Sequence, residues 1–320
     1  MDKAKNINVI NNLNQDYKRF TFDFVGKRKI FFIITAVIFV AGMVSFFVRG
    51  FNWDIDFVGG TIIEYNLNKN IEFADTDKIA VIVEEIIGER PSSVVQSGTQ
   101  GVVIKARAIN TNQRTEITDR LKEEYSSLNT DEIYTSDVNP TVGDALRNKT
   151  LISVTLAIAL MLVYITFRFN FWSGLATVIC LTHDMFVALT FYSLLQIPMN
   201  TSVIAAFLTI LAYSINATII IFDRVRENMR FQKGTGYKFS DIINQSTSQT
   251  FARSINTTVT TLAVLVCVLI LGVPSIKAFV LPLIVGIGAG LFSSLCLAGV
   301  LWDLFRRNKT ERIRGGARAK

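Results

Sequence analysis

Residues Ala212–Asn228 read AYSINATIIIFDRVREN. An apolar run carries Tyr213, Ser214 and Asn216 in its middle and then breaks into Asp223-Arg224-x-Arg-Glu. Extended backwards, the run covers Ser202–Phe222, and about 20 apolar residues suffice to cross a hydrocarbon core as a helix. An amide inside such a helix finds no partner in lipid, so it must face protein or water. The charged end reads as an interfacial stop at the membrane surface. Five more runs of similar length and character lie at Ile30–Val48, Leu151–Phe167, Phe171–Leu195, Ile255–Val273 and Ala278–Trp302. One soluble core for 320 residues, 50% of them hydrophobic, does not accommodate six such runs. The chain is therefore expected to be a polytopic α-helical membrane protein with six transmembrane helices. The first run lacks a small-x-small cleavage site and is read as a retained helix rather than a signal peptide.

Charge sets the expected orientation. Lys and Arg outnumber Asp and Glu by seven to three in residues 1–29, six to three in 223–253 and seven to two in 303–320. Residues 51–146 reverse this, with eight against seventeen. Basic residues beside spans mark the cytoplasmic side. Both termini and the 223–253 loop are thus expected in the cytoplasm and the acidic segment outside. The basic total is a topology signal, and no nucleic-acid partner is expected. The expected division is a cytoplasmic tail 1–29, a first span 30–48, an extracytoplasmic domain 49–148, a five-helix bundle 149–305 with the inner loop 223–253, and a basic tail 306–320.

Within the outer segment, alternation and turn residues predict strands at Gly60–Leu67, Ser93–Gln96, Gly101–Arg107 and Glu132–Ser136. Helical spacing predicts helices at Thr76–Ile87, capped by Asp75 or Thr76, and at Thr111–Ser127. The order β-α-β-β-α-β is that of a ferredoxin-like α+β domain. In the inner loop, Phe239–Phe251 is weakly amphipathic and is expected on the membrane surface.

Polar groups inside the spans are the candidate site. Asp184, preceded by the sole histidine His183, lies about 20 Å along its helix from Phe171, near mid-membrane. An ionisable group there is costly and points to a partner, a cavity or an ion path; a protonated Asp making one interhelical hydrogen bond is the plainer alternative. The fifth span opens with Arg253, Ser254, Asn256, Thr257, Thr258, Thr260 and Thr261, a broad polar face. Tyr213, Asn216 and Ala217 share a face of the fourth helix, and the Asn216 amide is expected to meet Arg253 and Asn256. Gly286 and Gly290 form a G-x-x-x-G pair that permits close helix packing. Cys180, Cys267 and Cys296 sit in apolar runs and read as packing residues. A single histidine excludes a multi-histidine metal site; no metal and no cofactor are expected.

Five stretches together resemble one family: Phe22-Asp-Phe-Val-Gly-Lys-Arg-Lys29, Asp56-Phe-Val-Gly59-Gly60, Leu181-Thr-His183-Asp184, Tyr213-Ser-Ile-Asn216 with Phe222-Asp223-Arg224-Val-Arg-Glu-Asn228, and Ala252-Arg-Ser-Ile-Asn-Thr-Thr258. In order and spacing they are similar to the SecF family, the smaller membrane subunits of the SecD–SecF accessory complexes of bacterial protein export. The similarity runs from about residue 20 to 305. It implies a resistance-nodulation-division fold in the bacterial inner membrane, pairing with SecD. It also implies proton or sodium flow used to help move unfolded preprotein out of the SecYEG channel. One position departs from the pattern. The family usually reads Ser-Ile-Asn-Asp-Thr, with its ion-coupling aspartate, where this chain has Ser214-Ile-Asn-Ala217-Thr218. An engineered variant, coupling through SecD carboxylates and Asp184, and a scaffold role all remain open.

Two other classes are weighed against this reading. Half of a small-molecule or lipid exporter of the same superfamily needs a larger outer domain than 96 residues provide. An intramembrane enzyme needs paired carboxylates, a nucleophile with its base, or a metal, and the chain's lone Asp184 beside one histidine supplies no such set.

Overall fold

The computed structural model describes residues 22–71, 73–231, 238–272 and 274–306. Residues 1–21 of the expected N-terminal tail, 232–237 of the expected inner loop and 307–320 of the basic tail lie outside them. Among the described residues six helices are long and apolar enough to cross a membrane.

The first, α1 (Arg28–Arg49), ends at Gly50, whose φ of 67° breaks the helix. A short α2 (Ile55–Val58), which alternation does not reveal, follows; the Asp54 carboxylate caps it by accepting from the N–H of Ile55 at 2.8 Å. Next come β1 (Gly60–Asn66), α3 (Phe73–Ile87), β2 (Ser93–Ser97), β3 (Gly101–Ala106), α4 (Thr111–Glu124) and β4 (Asn129–Val138). The four strands form one antiparallel sheet in the order β2-β3-β1-β4. Side chains alternate along β1 and β3, burying Ile63, Tyr65, Val102 and Ile104 against Ile79, Val83, Ile117 and Leu121 of the two helices. Asn110 and Gln113 close a capping box at the start of α4, which positions that helix. Because α3 begins at Phe73, Asp75 and Thr76 lie in its first turn rather than at its cap.

The remaining spans are α5 (Pro140–Arg168), α6 (Phe171–Leu195), α7 (Ser202–Phe231), α8 (Phe239–Leu271) and α9 (Pro274–Phe292). A π turn (Ser293–Ala298) continues α9 into a last helical stretch to Arg306. Two expectations are corrected here. Asp223 and Arg224 do not end their helix: α7 runs on to Phe231, because Arg224 pairs with Glu227 one turn ahead at 2.6 Å and with Gln249 of α8. Nor does Phe239–Phe251 form a separate surface helix; it is the start of α8. Asn228 donates to Ser246 and to Gln249 (2.8 and 2.9 Å), zipping the two extensions into a hairpin. The 223–253 loop is therefore mostly helical. Beside it, the segment before α1 docks on α8, where Asn244 accepts from the N–H of Val25 and donates to Asp23.

In the bundle, α6, α7 and the α9–π unit hold the buried surface, while α1, α5 and α8 turn most of theirs outward. Close approach needs small residues. A side chain at Gly286 would strike Ile210 of α7, and Gly290 abuts Ser214.

Candidate functional site

Three polar constellations stand out, two inside the bundle and one where it meets the sheet domain. The first is an outward seam between α7 and α8. The Tyr213 hydroxyl donates to the carbonyl of Thr257 at 2.7 Å and lies 3.1 Å from the Thr261 hydroxyl. The polar stripe of α8 divides around this link. Ser254 and Thr258 are buried toward the bundle, whereas Arg253, Asn256, Thr257 and Thr260 are exposed, as is Asn216 on α7. The threonines satisfy themselves, since Thr257 donates to Arg253 O (2.9 Å) and Thr260 to Thr257 O (2.9 Å). Asn216, Arg253 and Asn256 do not, and their side chains have no hydrogen-bond or ion-pair partner among the described residues. The expected Asn216 contact with Arg253 and Asn256 is thus replaced: Tyr213 joins the helices, and the two amides stand exposed along the seam. Their depths agree. Asn216 lies about 21 Å along α7 from its Ser202 end and Asn256 about 22 Å along α8 from its Leu271 end.

The second constellation is buried. Asp184 on α6 is fully enclosed. Its Oδ1 lies 2.9 Å from His183 Nδ1, and its Oδ2 accepts from Ser214 Oγ of α7 (2.5 Å) and Ser293 Oγ of the π turn (2.8 Å). The Thr218 and Ser294 hydroxyls meet at 2.9 Å one turn away, and Cys180 Sγ lies 3.8 Å from the Ser293 carbonyl. Reading the chain for ionisable groups finds Asp184 and His183 but passes over Ser214, Thr218, Ser293 and Ser294. The signal for the last two is a Ser-Ser pair in an otherwise apolar run, three residues after Gly290. Ala217 is buried on the same side of α7 as Ser214, one turn on.

The third is a junction between the bundle and the sheet domain. The loop between α6 and α7 is stitched to the start of the outer domain: Met199 donates to Asn52 O (2.8 Å), and Asp54 donates to Met199 O (3.1 Å). Asp56 accepts from both the N–H and the hydroxyl of Thr201 at 3.0 Å. Lys105 of β3 reaches Asp54 at 3.1 Å and Asp56 at 3.6 Å. Burial pushes the Asp54 carboxyl above its ordinary value, with Lys105 opposing the shift. Gly59 and Gly60 turn the chain here. Gly59 closes α2 with a φ of 78°, in the left-handed region that favours glycine. A Cβ on Gly60 would lie 2.3 Å from the Ala106 carbonyl. Opposite them, a Cβ on Gly143 of α5 would lie 2.3 Å from the Phe57 carbonyl. The α6–α7 end, α2, β3 and α5 are thereby packed at one point.

Comparison with known proteins identifies two matching segments. Residues 117–308 match the C-terminal family profile of the protein export membrane proteins SecD/SecF, and residues 44–71 match the SecD/SecF GG motif, which contains Gly59 and Gly60. The chain is 35% identical to protein translocase subunit SecF of Acidaminococcus fermentans, over 89% of this chain and 98% of that one. It is 36% identical to SecF of Sebaldella termitidis, over 88% and 91%. Against protein translocase subunit SecDF of Bacillus subtilis it is 36% identical over 88% of this chain but only 37% of the relative. Crystallographic SecDF from Thermus thermophilus superposes with a TM-score of 0.73 at 28% identity, over 90% of this chain and 39% of that one. The chain thus spans nearly the whole of SecF proteins and about two-fifths of the fused SecDF proteins.

Proposed function

The chain belongs to the SecD/SecF family of protein export membrane proteins, and we propose that it is the SecF-type half of an ion-coupled export accessory. In this reading it pairs with a SecD chain, and proton or sodium flow through the paired bundles drives release of unfolded preprotein from the SecYEG channel on the outer side. It is a transport subunit and performs no covalent chemistry. It sits in the bacterial inner membrane with both termini in the cytoplasm, a reading supported by the basic flanks of the spans. The outer domain is of ferredoxin-like type, a reading supported by the β-α-β-β-α-β order and the β2-β3-β1-β4 sheet. The junction of Asp56, Thr201 and Lys105 carries movement from α6 and α7 to that domain.

The observation that carries the pairing is the α7–α8 seam. Asn216 and Asn256 stand exposed and unpartnered at one depth inside membrane-crossing helices, with Arg253 one turn nearer the other end of α8, where lipid offers no hydrogen bond. A second bundle with its own polar groups satisfies them, and pairing with SecD is supported by relatives named SecDF, of which this chain covers 37% in Bacillus subtilis. The experiment is co-reconstitution with a SecD chain in proteoliposomes, with Asn256→Cys on a background lacking other cysteines. The expected result is a short-span crosslink from residue 256 to SecD, together with preprotein release that rises with an imposed ion gradient. Failure of the crosslink, with residue 256 reacting freely with lipid-soluble maleimide, would remove the paired interface.

A second reading is favoured by Ala217. Alanine carries no proton at the position where the resemblance places an aspartate, so in this reading the coupling role is lost and the chain serves as a scaffold. Gradient-driven release that appears only after Ala217→Asp selects this second reading.

A further inference from the structure

The carboxylate of Asp184 does not merely fill a polar gap. When ionised it only accepts, so the His183 nitrogen facing it, Nδ1, carries the ring proton and Nε2 presents a lone pair. That Nε2 is buried and has no hydrogen-bond partner among the described residues, in a side chain 10% exposed. It is the one polar atom of the cluster left open. The Ser293 hydroxyl, in contrast, has two acceptors within reach: Asp184 Oδ2 at 2.8 Å and the carbonyl of Gly290, on its own helix, at 3.2 Å. Ser293 is also the first residue of the π turn, and π turns concentrate at functional sites.

We propose that His183 and Asp184 form a reversible proton-binding site, and that its loading releases the π turn of the last span from α6. A proton arriving at Nε2 bonds there while the Nδ1 proton passes to Asp184 Oδ1. The imidazole ends neutral in its other tautomer, the carboxyl ends neutral, and the pair has gained one proton. Oδ1 then donates back to Nδ1. Oδ2 changes from a charged acceptor to a neutral one, and bonds to a charged acceptor are roughly twice as strong. The Ser293 hydroxyl thereupon turns to Gly290 O, and the clasp joining α6, α7 and the π turn loosens on one side. Departure of the proton by the same route restores it.

The surroundings are suited to such a switch. From α6 the titratable neighbours are His183 and the Cys180 thiol. From α7 come only the hydroxyls of Ser214 and Thr218. From α9 and its π turn come Ser293 and Ser294, with the Cys296 thiol further along the turn. The α1 helix, packed on α6, has no charged residue between Lys29 and Arg49. Among the described residues no lysine or arginine pairs with Asp184, so a proton is the charge that neutralises it. This inference rests on the ion-coupled reading for its purpose, and on the cluster geometry for its existence.

The test is infrared difference spectroscopy of the full chain in nanodiscs as pH is varied, paired with hydrogen exchange of the 293–298 segment. The expected result is a carboxylic-acid C=O band that comes and goes with pH and disappears in Asp184→Asn, with exchange in 293–298 rising severalfold in the protonated state. Ser293→Ala separates the two steps: the band still titrates, and the exchange no longer follows it. His183→Phe is expected to slow proton entry severalfold and leave the final band intensity unchanged. A band that is unaltered by Asp184→Asn, or exchange in 293–298 that is the same in both protonation states, overturns the proposal. If either occurs while the reconstituted pair still shows gradient-driven release, the export reading stands and this inference alone falls.

Discussion

The Tyr213 hydroxyl donates to the Thr257 carbonyl across the α7–α8 interface at 2.7 Å, and this one bond sets the two polar stripes side by side. A side chain seldom reaches a carbonyl inside a neighbouring helix, because that carbonyl already serves its own helix. Here it also accepts from Thr260 and Thr261. Tyr213→Phe keeps the ring and removes the donor. The expected loss is about 1 kcal/mol, the net worth of one hydrogen bond, read as a lower thermal midpoint of the detergent-solubilised chain. A midpoint equal to that of the parent would show that the seam does not depend on this bond.

Lys105 is the only cation paired with Asp54 and Asp56 among the described residues. Lys105→Met leaves a carboxylate 2% exposed without its counter-charge, while Lys105 itself keeps 20% of its side chain in water. The expected destabilisation is about 2–3 kcal/mol, at or below the low end of what breaking a buried pair costs. Hydrogen exchange at residues 52–57 should rise with it, since these residues carry the stitch to Met199 and Thr201. Unchanged exchange there would show that the junction is held by its backbone bonds alone.

Two carboxyls of the outer domain respond to pH in opposite senses. Burial raises Asp54, so the folded state binds its proton more readily than the unfolded chain does. Its contribution is present below the ordinary value of 3.8 and is lost as pH rises through the folded value. Asp137 is lowered by its hydrogen bonds to Arg114 and Thr61, so its contribution is present above 3.8 and is lost as pH falls through the folded value. Asp54→Asn should therefore gain on the parent chain as pH rises from 3.8 through the Asp54 transition. Arg114→Gln should lose to the parent above 3.8 and draw level with it as pH falls. Thermal midpoints against pH read both, and the same sign of change for the two variants would contradict the assignment.

Gly60→Ala and Gly143→Ala each place a methyl group 2.3 Å from a backbone carbonyl, of Ala106 and Phe57 respectively. Backbone cannot turn aside as a flexible side chain can. Each substitution should cost about 1–3 kcal/mol through overpacking. Gly88→Ala, whose Cβ meets nothing within 4 Å, is the control for backbone conformation at a φ of 78°. If Gly60→Ala were no worse than Gly88→Ala, the tight packing beside the GG motif would be refuted.

Much of this architecture is legible along the chain. The six spans are local facts, because a run of about 20 apolar residues has few alternatives to a membrane helix. Apart from the short α2, the helices of the sheet domain and its four strands follow from spacing. Local charge misleads where tertiary partners continue a helix. The residues Asp223, Arg224 and Glu227 look like the end of a helix, yet Arg224 pairs with Glu227 and with Gln249 of α8, and Asp223 accepts from Arg168 of α5, so the helix runs on. The partners of Asp184 lie 30 and 109 residues away. Serine is too common in membrane helices for sequence spacing to single out those two.

By itself the amino-acid sequence determined the spans, the acidic segment between the first two of them and the presence of polar groups where lipid forbids them, since each follows from the transfer of nearby side chains between water and hydrocarbon. Only the tertiary structure decided which of those groups look inward and which outward. Ser254 and Arg253 are neighbours in the chain, yet one is buried and the other exposed. That choice depends on helix rotation, which is set by Gly286 and Gly290 packing on α7 and by Tyr213 reaching Thr257. Contacts between distant segments fix it, and no local window contains them.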